Sequence, residues 1–208
     1  MPIPQITYIA ATEKDIKQVV SLHMSTFKSN FTTLLGKAFL TQYYHLFLNN
    51  LFYFFIAKKE EQVIGFIVGV NDYKLLAKYL KQEIHKFIIP LLYSVLNIKL
   101  IPIISKRVLG FIFNGRANTL PLDLRNYNEI TSFVVDKNSQ GLGVGSSLLK
   151  HYLSQVNSSG ILGAFITTDA TENISTINFY KKNGFTIKHT YQQSEKRDMH
   201  LMLKEFTQ

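Results

Sequence analysis

Three glycines at alternate positions, Gly141, Gly143 and Gly145, constrain the fold of this chain more than any other feature. They stand between a run of strand-forming residues, 133–135, and an amphipathic segment that begins at Val144. Glycine lets a backbone adopt positive φ and approach a ligand closely, and the first turn of a helix offers N–H groups without partners and a partial positive charge. The pattern therefore predicts a strand, a tight loop and a helix whose N-terminus binds phosphate groups.

Two common phosphate-binding motifs do not fit this loop. A P-loop needs a Gly-Lys pair followed by Ser or Thr, and here no lysine follows the glycines at that position. A dinucleotide fingerprint needs its third glycine three positions after the second, whereas Gly145 comes two positions after Gly143. The alternative to a phosphate site is a tight turn from strand to helix in which the glycines serve packing alone.

A second motif lies downstream at residues 173–185 and reads Asn-Ile-Ser-Thr-Ile-Asn-Phe-Tyr-Lys-Lys-Asn-Gly-Phe. Together with the glycine loop, which begins at Gln140, it resembles the GNAT superfamily of acyl-CoA-dependent N-acyltransferases. The family motifs are Gln/Arg-x-x-Gly-x-Gly/Ala and Asn-x-x-Ala-x-x-Phe-Tyr-x-Lys-x-Gly-Phe. Here they stand at the family's usual separation, with a predicted strand at 165–168 between them. Thr176 in place of the usual alanine is the one departure from the second motif.

The order of predicted elements agrees with this resemblance. A strand at 6–9, a helix opened by a capping box at Thr12, a polar loop at 28–33, a second helix at 36–48 and a hairpin at 52–70 come first. After residues 71–128, the order is strand, helix, strand, helix and two closing strands. We predict a single α/β domain over residues 1–208, with a GNAT-like three-layer α/β/α fold and a mixed sheet with splayed central strands. Residues 71–128 form a helical insertion between the third and fourth strands.

The resemblance implies acetyl-CoA as cosubstrate and assigns its contacts by position. The amides of the glycine loop would wrap the pyrophosphate of CoA, with Gln140 opening the loop. The preceding strand would pair its backbone with the pantetheine arm, and the amide of Val135 would lie where the oxyanion forms. The cofactor-binding residues implied in this way are Phe133, Val134, Val135, Gln140, Gly141, Leu142, Gly143, Val144, Gly145, Ser146 and Asn173.

Tyr180 follows Asn173 by seven residues, or two helical turns, so both side chains point to one side of a helix. If that side faces the splayed strands, Tyr180 reaches the sulfur of CoA and Asn173 reaches the pantetheine. A thiolate leaves more readily when a hydroxyl donates a proton to it, and the resemblance gives Tyr180 this catalytic role. The alternatives are packing beside Phe179 for Tyr180 and an N-cap for Asn173.

Acyl transfer to an amine needs a base, because a free alkylamine is protonated at neutral pH. Glu129 is the first candidate: it precedes Val135 by six residues, so strand alternation predicts that both side chains lie on one face. The alternative is an exposed glutamate at a strand end. His23, on the first helix, is a second candidate, although a partly buried structural histidine is the more ordinary interpretation. Asp169 ends the following strand and is interpreted as a residue that begins a helix.

Several classes of chemistry are excluded by composition. The chain has no cysteine, which excludes disulfides, thiolate metal sites and cysteine nucleophiles. No spacing of His, Asp and Glu indicates a metal site. No signal-peptide pattern is present. The most apolar stretch is Phe87 to Phe113, and its longest uncharged run, Phe87 to Ile98, has 12 residues and is too short to span a membrane. We therefore predict a cytoplasmic monomer or homodimer without a transmembrane segment.

The net charge of +9 favours an anionic partner. Residues 71–128 contain nine basic and three acidic residues and so carry +6 of this charge. Amphipathic helices with a solvated basic rim explain this excess of basic residues. One alternative is a lid whose Lys106 and Arg107 meet an anionic acceptor. Another is a patch that binds a membrane surface or a partner. No helix-turn-helix or aromatic-basic stacking motif appears, so we predict no nucleic-acid partner.

The function predicted from these residues is transfer of an acetyl group from acetyl-CoA to the primary amine of a small acceptor, by direct attack in a ternary complex. An amino sugar or a nucleotide-sugar is such an acceptor. Two alternatives stay open at this point. One is acetylation of a protein N-terminus or a lysine side chain, and the other is a CoA-binding module without catalysis.

Overall fold

The computed structural model describes residues 5–28, 30–95, 122–171, 173–194 and 197–206. Its strands are β1 (Ile6–Ala10), β2 (Tyr53–Lys59), β3 (Gln62–Val70), β4 (Tyr127–Val135), β5 (Gly163–Asp169), β6 (Thr186–Ser194) and β7 (Arg197–Glu205). Its α-helices are α1 (Ile16–Thr26), α2 (Phe31–Leu34), α3 (Gly36–Leu46), α4 (Tyr73–Gln82), α5 (Ile84–Val95), α6 (Val144–Asn157) and α7 (Ile174–Lys182). Short 3-10 turns at Glu13–Asp15 and Lys137–Ser139 precede α1 and α6.

The strands form one mixed sheet in the order β1-β2-β3-β4-β5-β7-β6 across the described residues. Neighbouring strands are antiparallel except β4 and β5, which are parallel. One hydrophobic core lies between the sheet and the helices α1, α3, α4 and α5. A second core lies on the other face, beneath α6 and α7. The structure confirms the predicted three-layer α/β/α fold.

The entry into α1 follows the predicted capping box. Both the backbone N–H and the hydroxyl of Thr12 donate to Asp15 Oδ2, at 2.9 and 2.7 Å. The buried Asp15 also forms an ion pair of 2.7 Å with Lys58 on β2, which fixes the start of α1 against the sheet. Burial raises the pKa of the Asp15 carboxyl, but hydrogen bonds from Lys58 and Thr12 outweigh it and the net pKa is lower than usual.

The segment predicted as a polar loop at 28–33 contains a helical turn, α2. The N–H of Leu34 donates to the carbonyl of Asn30, and the N–H of Leu35 donates to that of Phe31. A single turn is too short to show a hydrophobic period, so the sequence pattern did not indicate it. Gly36, with φ of 87°, marks the change of direction between α2 and α3 and is the first residue of α3.

Helices α4 and α5 lie within the predicted insertion at 71–128. Leu76, Leu80 and Phe87 are buried in the same core as α1 and α3. The two ends of the insertion are held together, because Asn128 Nδ2 donates to Asn71 Oδ1 at 2.7 Å. Lys106 and Arg107 lie outside the described residues, so the lid hypothesis stays a prediction.

Gly69 on β3 has no room for a side chain. A Cβ there would overlap the hydroxyl of Tyr152 and lie 2.8 Å from the carbonyl oxygen of Glu129. The Tyr152 hydroxyl is fixed in this place because it donates to Asn128 Oδ1. The absence of a side chain at Gly69 is thus what lets α6 pack its tyrosine onto the centre of the sheet.

We expect Gly69→Ala to lower the free energy of unfolding by about 3 kcal/mol, because overpacking of a well-packed core has this cost. Gly65→Ala is the matched control on the same strand, since a Cβ there would meet the Val134 carbonyl oxygen at 3.1 Å and side-chain carbons at 3.5 Å. Its loss should be clearly smaller. Urea unfolding of both variants measures the difference, and equal losses would contradict the assigned role of Gly69.

Candidate functional site

The parallel strands β4 and β5 separate along their length. They pair only where Tyr127, Asn128 and Glu129 face Gly163, Ala164 and Phe165. Beyond this point β4 stays paired with β3 as far as Val135, and β5 stays paired with β7 as far as Asp169. A cleft therefore opens between the two strands in the middle of the sheet, and this confirms the predicted splay.

The edge of β4 that faces this cleft carries the backbone groups of Phe133 and Val135. The N–H of Asp136 donates to the Ile64 carbonyl on β3 at 2.8 Å. Because successive residues of a strand direct their backbone groups to opposite edges, Val135 and Phe133 direct theirs toward β5. An extended ligand can pair with this edge as a further strand would.

Val134 does not line the cleft, although it was predicted to bind the cofactor. By the same alternation its backbone groups face β3, and its side chain is buried in the core beneath α1 and α3. A strand offers only every second residue to one edge, so a backbone hydrogen bond from the ligand would go to Phe133 or Val135, and the predicted contact of Val134 stays a prediction.

The glycines of the loop have two different roles. Gly141 and Gly143 have φ of 77° and 79°, and a Cβ on either would meet nothing within 4 Å. Their conformation favours glycine, and the space beside them is open. Gly145 lies inside α6, where a Cβ would lie 3.3 Å from the ring of Phe179 and 3.5 Å from Val135 Cγ2. Packing of α6 against α7 and β4 therefore requires the third glycine.

The N-terminus of α6 directs its amides into this open space. Gly143 is the N-cap, and the first helical hydrogen bond runs from the Ser147 N–H to the Gly143 carbonyl at 3.0 Å. The amides of Val144, Gly145 and Ser146 precede it and have no partner within the helix. Together with the partial positive charge of the helix end, they suit a phosphate group.

The residues around these amides hold the loop in shape. Gln140 Nε2 donates to the Val135 carbonyl at 3.1 Å and thereby ties the loop to the end of β4. Leu142 is 71% exposed, so its side chain adds no packing and only its backbone shapes the loop. Val144, by contrast, is the first residue of α6. Its side chain is buried in the core, so only its amide faces the loop. Ser146 accepts a hydrogen bond of 3.3 Å from Asn183, the residue that caps the C-terminal end of α7.

Tyr180 lies on α7 at the core beneath the cleft. Its ring packs against Phe133, Phe179 and Phe185, with centroids 5.2–6.4 Å apart, and the residue is 2% exposed. Burial raises the pKa of the phenol well above its usual value. The hydroxyl is therefore protonated at any working pH, and in proton transfer it can act only as a donor.

Asn173 stands at the N-cap of α7, but its side chain does not cap the helix. Its Nδ2 donates instead to Thr168 Oγ1 at 2.6 Å, on the part of β5 that has separated from β4. The helix α7 covers the second motif as predicted, whereas the common side of Asn173 and Tyr180 stays a prediction. Thr168, which the sequence analysis did not single out, is buried and helps to line this edge of the cleft.

Glu129 is not on the face that strand alternation predicted. Val68 and Gly69 of β3 pair with Ser132 and Ile130, so Thr131 is an extra residue and forms a β-bulge in β4. The bulge reverses the alternation. Glu129 therefore faces the α1 and α3 side together with Ser132, whereas Val135 faces α6. Nor is Glu129 an exposed strand end, since it is 2% exposed at the point where β4 and β5 separate.

His23 and Asp169 both have structural partners. His23 is 3% exposed, its two ring nitrogens lie 2.7 Å from the Tyr44 hydroxyl and 3.1 Å from Thr33 Oγ1, and burial lowers its pKa to about 4. This agrees with a structural histidine. Asp169 ends β5 but does not begin a helix; both of its carboxylate oxygens accept hydrogen bonds from Arg197 on β7, at 2.6 and 2.8 Å.

The described part of the chain holds no cluster of three or more His, Cys, Asp or Glu residues suited to a metal ion. Within the same residues, no helix has the length and apolar character that crossing a membrane requires.

Comparison with known proteins agrees with this geometry. Residues 104–185 match the model of the Acetyltransferase (GNAT) family. No curated protein sequence matches the chain. Among solved structures, the ribosomal-protein-alanine N-acetyltransferase from Brucella melitensis superposes with a TM-score of 0.62 at 16% identity, over 96% of this chain and 99% of that one.

Two further structures show the same likeness of fold. YncA, a putative acetyltransferase from Salmonella typhimurium solved with its cofactor acetyl-CoA, has a TM-score of 0.61 at 12% identity, over 96% of this chain and 93% of that one. A putative phosphinothricin N-acetyltransferase has a TM-score of 0.61 at 15% identity, over 98% of this chain and 100% of that one.

The splayed strands and the open glycine loop form a cleft in the middle of the sheet, and its geometry suits an extended, phosphate-bearing ligand. The family match agrees with this site: residues 104–185 are similar to the GNAT family of acetyltransferases, and the fold over the described residues is shared with the solved N-acetyltransferases.

Proposed function

We propose that this protein transfers the acetyl group of acetyl-CoA to the primary amine of a small acceptor, such as an amino sugar or a nucleotide-sugar, by direct attack in a ternary complex. The observation that carries the proposal is the cleft between β4 and β5. The glycine loop and α6 lie toward one face of the sheet at this cleft, and Glu129 faces the other. Donor and acceptor can therefore approach from opposite faces. The chain also has no cysteine to carry an acyl group between two half-reactions.

The donor is held by backbone groups in this proposal. The amides of the Gln140 to Ser146 loop bind the pyrophosphate, and the cleft-facing edge of β4 at Phe133 and Val135 pairs with the pantetheine arm. The N–H of Val135, with that of Phe133 on the same edge, supplies the hydrogen bond that the thioester oxygen strengthens as it becomes negative. Asn173, whose amide lies at Thr168 on the opposite edge, contacts the pantetheine from α7.

Tyr180 donates a hydrogen bond to the departing thiolate. Its buried phenol keeps its proton, since burial raises the pKa. A thiol with an ordinary pKa of about 8.5 is a moderate leaving group, and donation from a neutral hydroxyl assists its departure. Contacts with Phe133 and Phe185 hold the ring in one orientation.

Glu129 is the base that removes a proton from the attacking amine, directly or through a water molecule. It is the carboxylate nearest to the vertex of the cleft, because β4 separates from β5 just beyond it. The bulge at Thr131 turns it to the face opposite α6. An amine approaching from that face therefore meets the carboxylate before it meets the donor.

We expect Glu129→Gln to lower kcat/KM near neutral pH by about 10² to 10⁴-fold, the usual contribution of a general base. The loss should shrink as the pH rises, because a growing fraction of the amine then loses its proton unaided. Glu205→Gln, whose side chain is exposed and lies 3.6 Å from Lys188 away from the cleft, is the control and should keep the wild-type profile. A pH–rate profile measures the effect. An unchanged Glu129→Gln profile would assign the base to water or to another group.

The acceptor class is tested with a panel of amines, reading release of the CoA thiol from acetyl-CoA. The panel contains amino sugars, nucleotide-sugars bearing an amine, peptides with a free N-terminal amine, and peptides with a lysine and a blocked N-terminus. Turnover with the sugars supports the proposal, whereas turnover with peptides alone favours protein acetylation. No turnover with any amine, together with binding of CoA, would favour the non-catalytic module. The fold itself is shared by the ribosomal-protein and phosphinothricin acetyltransferases, and it does not separate these acceptors.

The remaining predictions concern the setting of the reaction. A cytoplasmic location, a single domain over residues 1–208 with the 71–128 insertion, a monomeric or homodimeric state and the absence of a nucleic-acid partner all stay predictions.

A further inference from the structure

A chain of hydrogen bonds runs through the core on the α1 and α3 face of the sheet. The His23 ring is its centre: Nδ1 lies 2.7 Å from the Tyr44 hydroxyl, and Nε2 lies 3.1 Å from Thr33 Oγ1. Thr33 Oγ1 in turn donates to the Phe27 carbonyl at 2.6 Å. The chain thus joins α1, α3 and the segment Asn30–Leu35, which contains α2 and is called the α2 segment below.

The direction of each proton in this chain follows from the Phe27 carbonyl, which can only accept. Thr33 has one hydroxyl proton and donates it to that carbonyl, so its oxygen accepts from the His23 Nε2–H. A neutral imidazole with its proton on Nε2 accepts at Nδ1, and the Tyr44 hydroxyl therefore donates to it. Thr32 Oγ1 lies 3.4 Å from the same Nε2 and is its longer, second contact. With these proton directions every hydrogen bond of the chain is satisfied, so the chain favours one arrangement of the His23, Thr33 and Tyr44 side chains.

Tyr44 anchors the chain to the sheet. The residue is fully buried, and its ring packs against Phe54 of β2 and Phe66 of β3, with centroids 5.8 and 5.4 Å apart. Its hydroxyl also interacts with the side chain of Ser132 on β4. Because of the bulge at Thr131, Ser132 and Glu129 are neighbours on the same face of β4.

The α2 segment therefore lies two side chains away from the part of β4 that carries Glu129. An amine that uses Glu129 must approach from this face, since α6 and the glycine loop occupy the other. Aromatic packing also surrounds His23: the ring of Phe27 contacts it with a centroid distance of 5.0 Å. Such packing fills the core but does not by itself fix the orientation of the side chains. The hydrogen bonds add direction that packing lacks.

We propose that His23 and Tyr44 are positioning residues, which hold the α2 segment at a fixed place against β4 and thereby set the site for the amine acceptor beside Glu129. The first half of this inference, the coupling of the α2 segment to the sheet, is independent of the reaction. The second half rests on the proposed function, because it assigns the approach to Glu129 to the amine.

The test uses Tyr44→Phe, which removes the donor to His23 and keeps the ring. Tyr152→Phe is the matched control: Tyr152 is also fully buried and its hydroxyl also makes a hydrogen bond, but on the opposite face of the sheet. Thr33→Val breaks the outer end of the chain at a partly buried position and guards against a failure of Tyr44→Phe to fold. Thr33→Ser keeps the hydroxyl and should restore the wild-type behaviour.

Hydrogen exchange of the full chain is measured first, at the amides of Leu34 and Leu35, which are bonded to Asn30 and Phe31. We expect exchange about tenfold faster in Tyr44→Phe and Thr33→Val, because a buried hydrogen bond contributes roughly this factor to an equilibrium constant. Tyr152→Phe and Thr33→Ser should leave these amides unchanged. Unchanged exchange in both Tyr44→Phe and Thr33→Val would overturn the coupling, and so would equal acceleration in Tyr152→Phe.

Steady-state kinetics then separate positioning from catalysis, with acetyl-CoA and the amine of the panel that gives the fastest thiol release. We expect KM for the amine to rise about tenfold in Tyr44→Phe and Thr33→Val, with KM for acetyl-CoA and kcat close to wild type. A wild-type KM for the amine despite faster exchange would show that the α2 segment does not set the acceptor site. If no amine of the panel gives turnover, the proposed function is overturned, and so is the role of the α2 segment at the acceptor site. The hydrogen-exchange result would still test the coupling of the α2 segment to the sheet.

Discussion

Gly143→Glu is expected to abolish the stabilisation of this protein by CoA while the fold persists. The substitution places a side chain and a negative charge at the N-terminus of α6, where the amides of the loop face open space. A ligand present at about 100 times its dissociation constant stabilises a protein by about 2.7 kcal/mol. The wild type should therefore gain several degrees in Tm on addition of CoA, and the variant should gain almost nothing.

Gly160→Glu is the matched control for this experiment. Gly160 follows the C-terminal end of α6, has φ of 75°, and also has nothing within 4 Å of a Cβ. Both substitutions force a non-glycine residue into the left-handed region, at a cost of about 1 to 2 kcal/mol, so both should lower Tm without ligand by similar amounts. Only Gly143→Glu should lose the response to CoA. A wild-type increase of Tm with CoA in Gly143→Glu would show that the pyrophosphate does not bind at this loop.

Tyr180→Phe is expected to lower kcat by about 10² to 10⁴-fold, the contribution of general acid assistance. The phenol loses only its hydroxyl, and the ring contacts with Phe133, Phe179 and Phe185 persist. Affinity for CoA and the free energy of unfolding should therefore change little. Initial rates with saturating acetyl-CoA, and a thermal shift with CoA, measure the two quantities separately.

Tyr152→Phe is the control with the opposite pattern. Tyr152 lies in the same core as Tyr180, but its hydroxyl donates to Asn128, which would be left with an unsatisfied buried oxygen. Such a loss costs about 1 to 3 kcal/mol of stability, and turnover should be kept. If Tyr180→Phe instead keeps the wild-type rate and loses stability, Tyr180 has a packing role alone.

Local patterns predicted most of the elements on which the site is built. The helix α7 begins and ends where the sequence placed it, and Gly184 after it has φ of 87°, as a left-handed cap requires. The capping box at Thr12 and Asp15 is present, and the glycine loop joins a strand to a helix. These features are determined by residues within one or two turns of each other, so the sequence displays them directly.

The face on which Glu129 lies could not be predicted in the same way. A count along β4 assumes a regular strand, and the bulge at Thr131 exists only because of how β4 pairs with β3. The pairing with β3, which is distant in the sequence, therefore decides on which face of β4 the Glu129 side chain lies. Val134 illustrates a related difficulty: a strand offers only alternate residues to a ligand at one edge, and the sequence does not say which edge is open.

The sequence by itself determined the loop, the order of elements and the residue types that the chemistry needs. Tertiary structure alone decided which of these residues meet. Gly69 and Tyr152 are 83 positions apart in the chain, and their contact requires α6 to cross β3. His23, Thr33 and Tyr44 become one hydrogen-bonded chain only when α1, the α2 segment and α3 pack together. Such contacts depend on the position of whole elements against the sheet, which is set by burial summed over many residues and leaves no short pattern in the sequence.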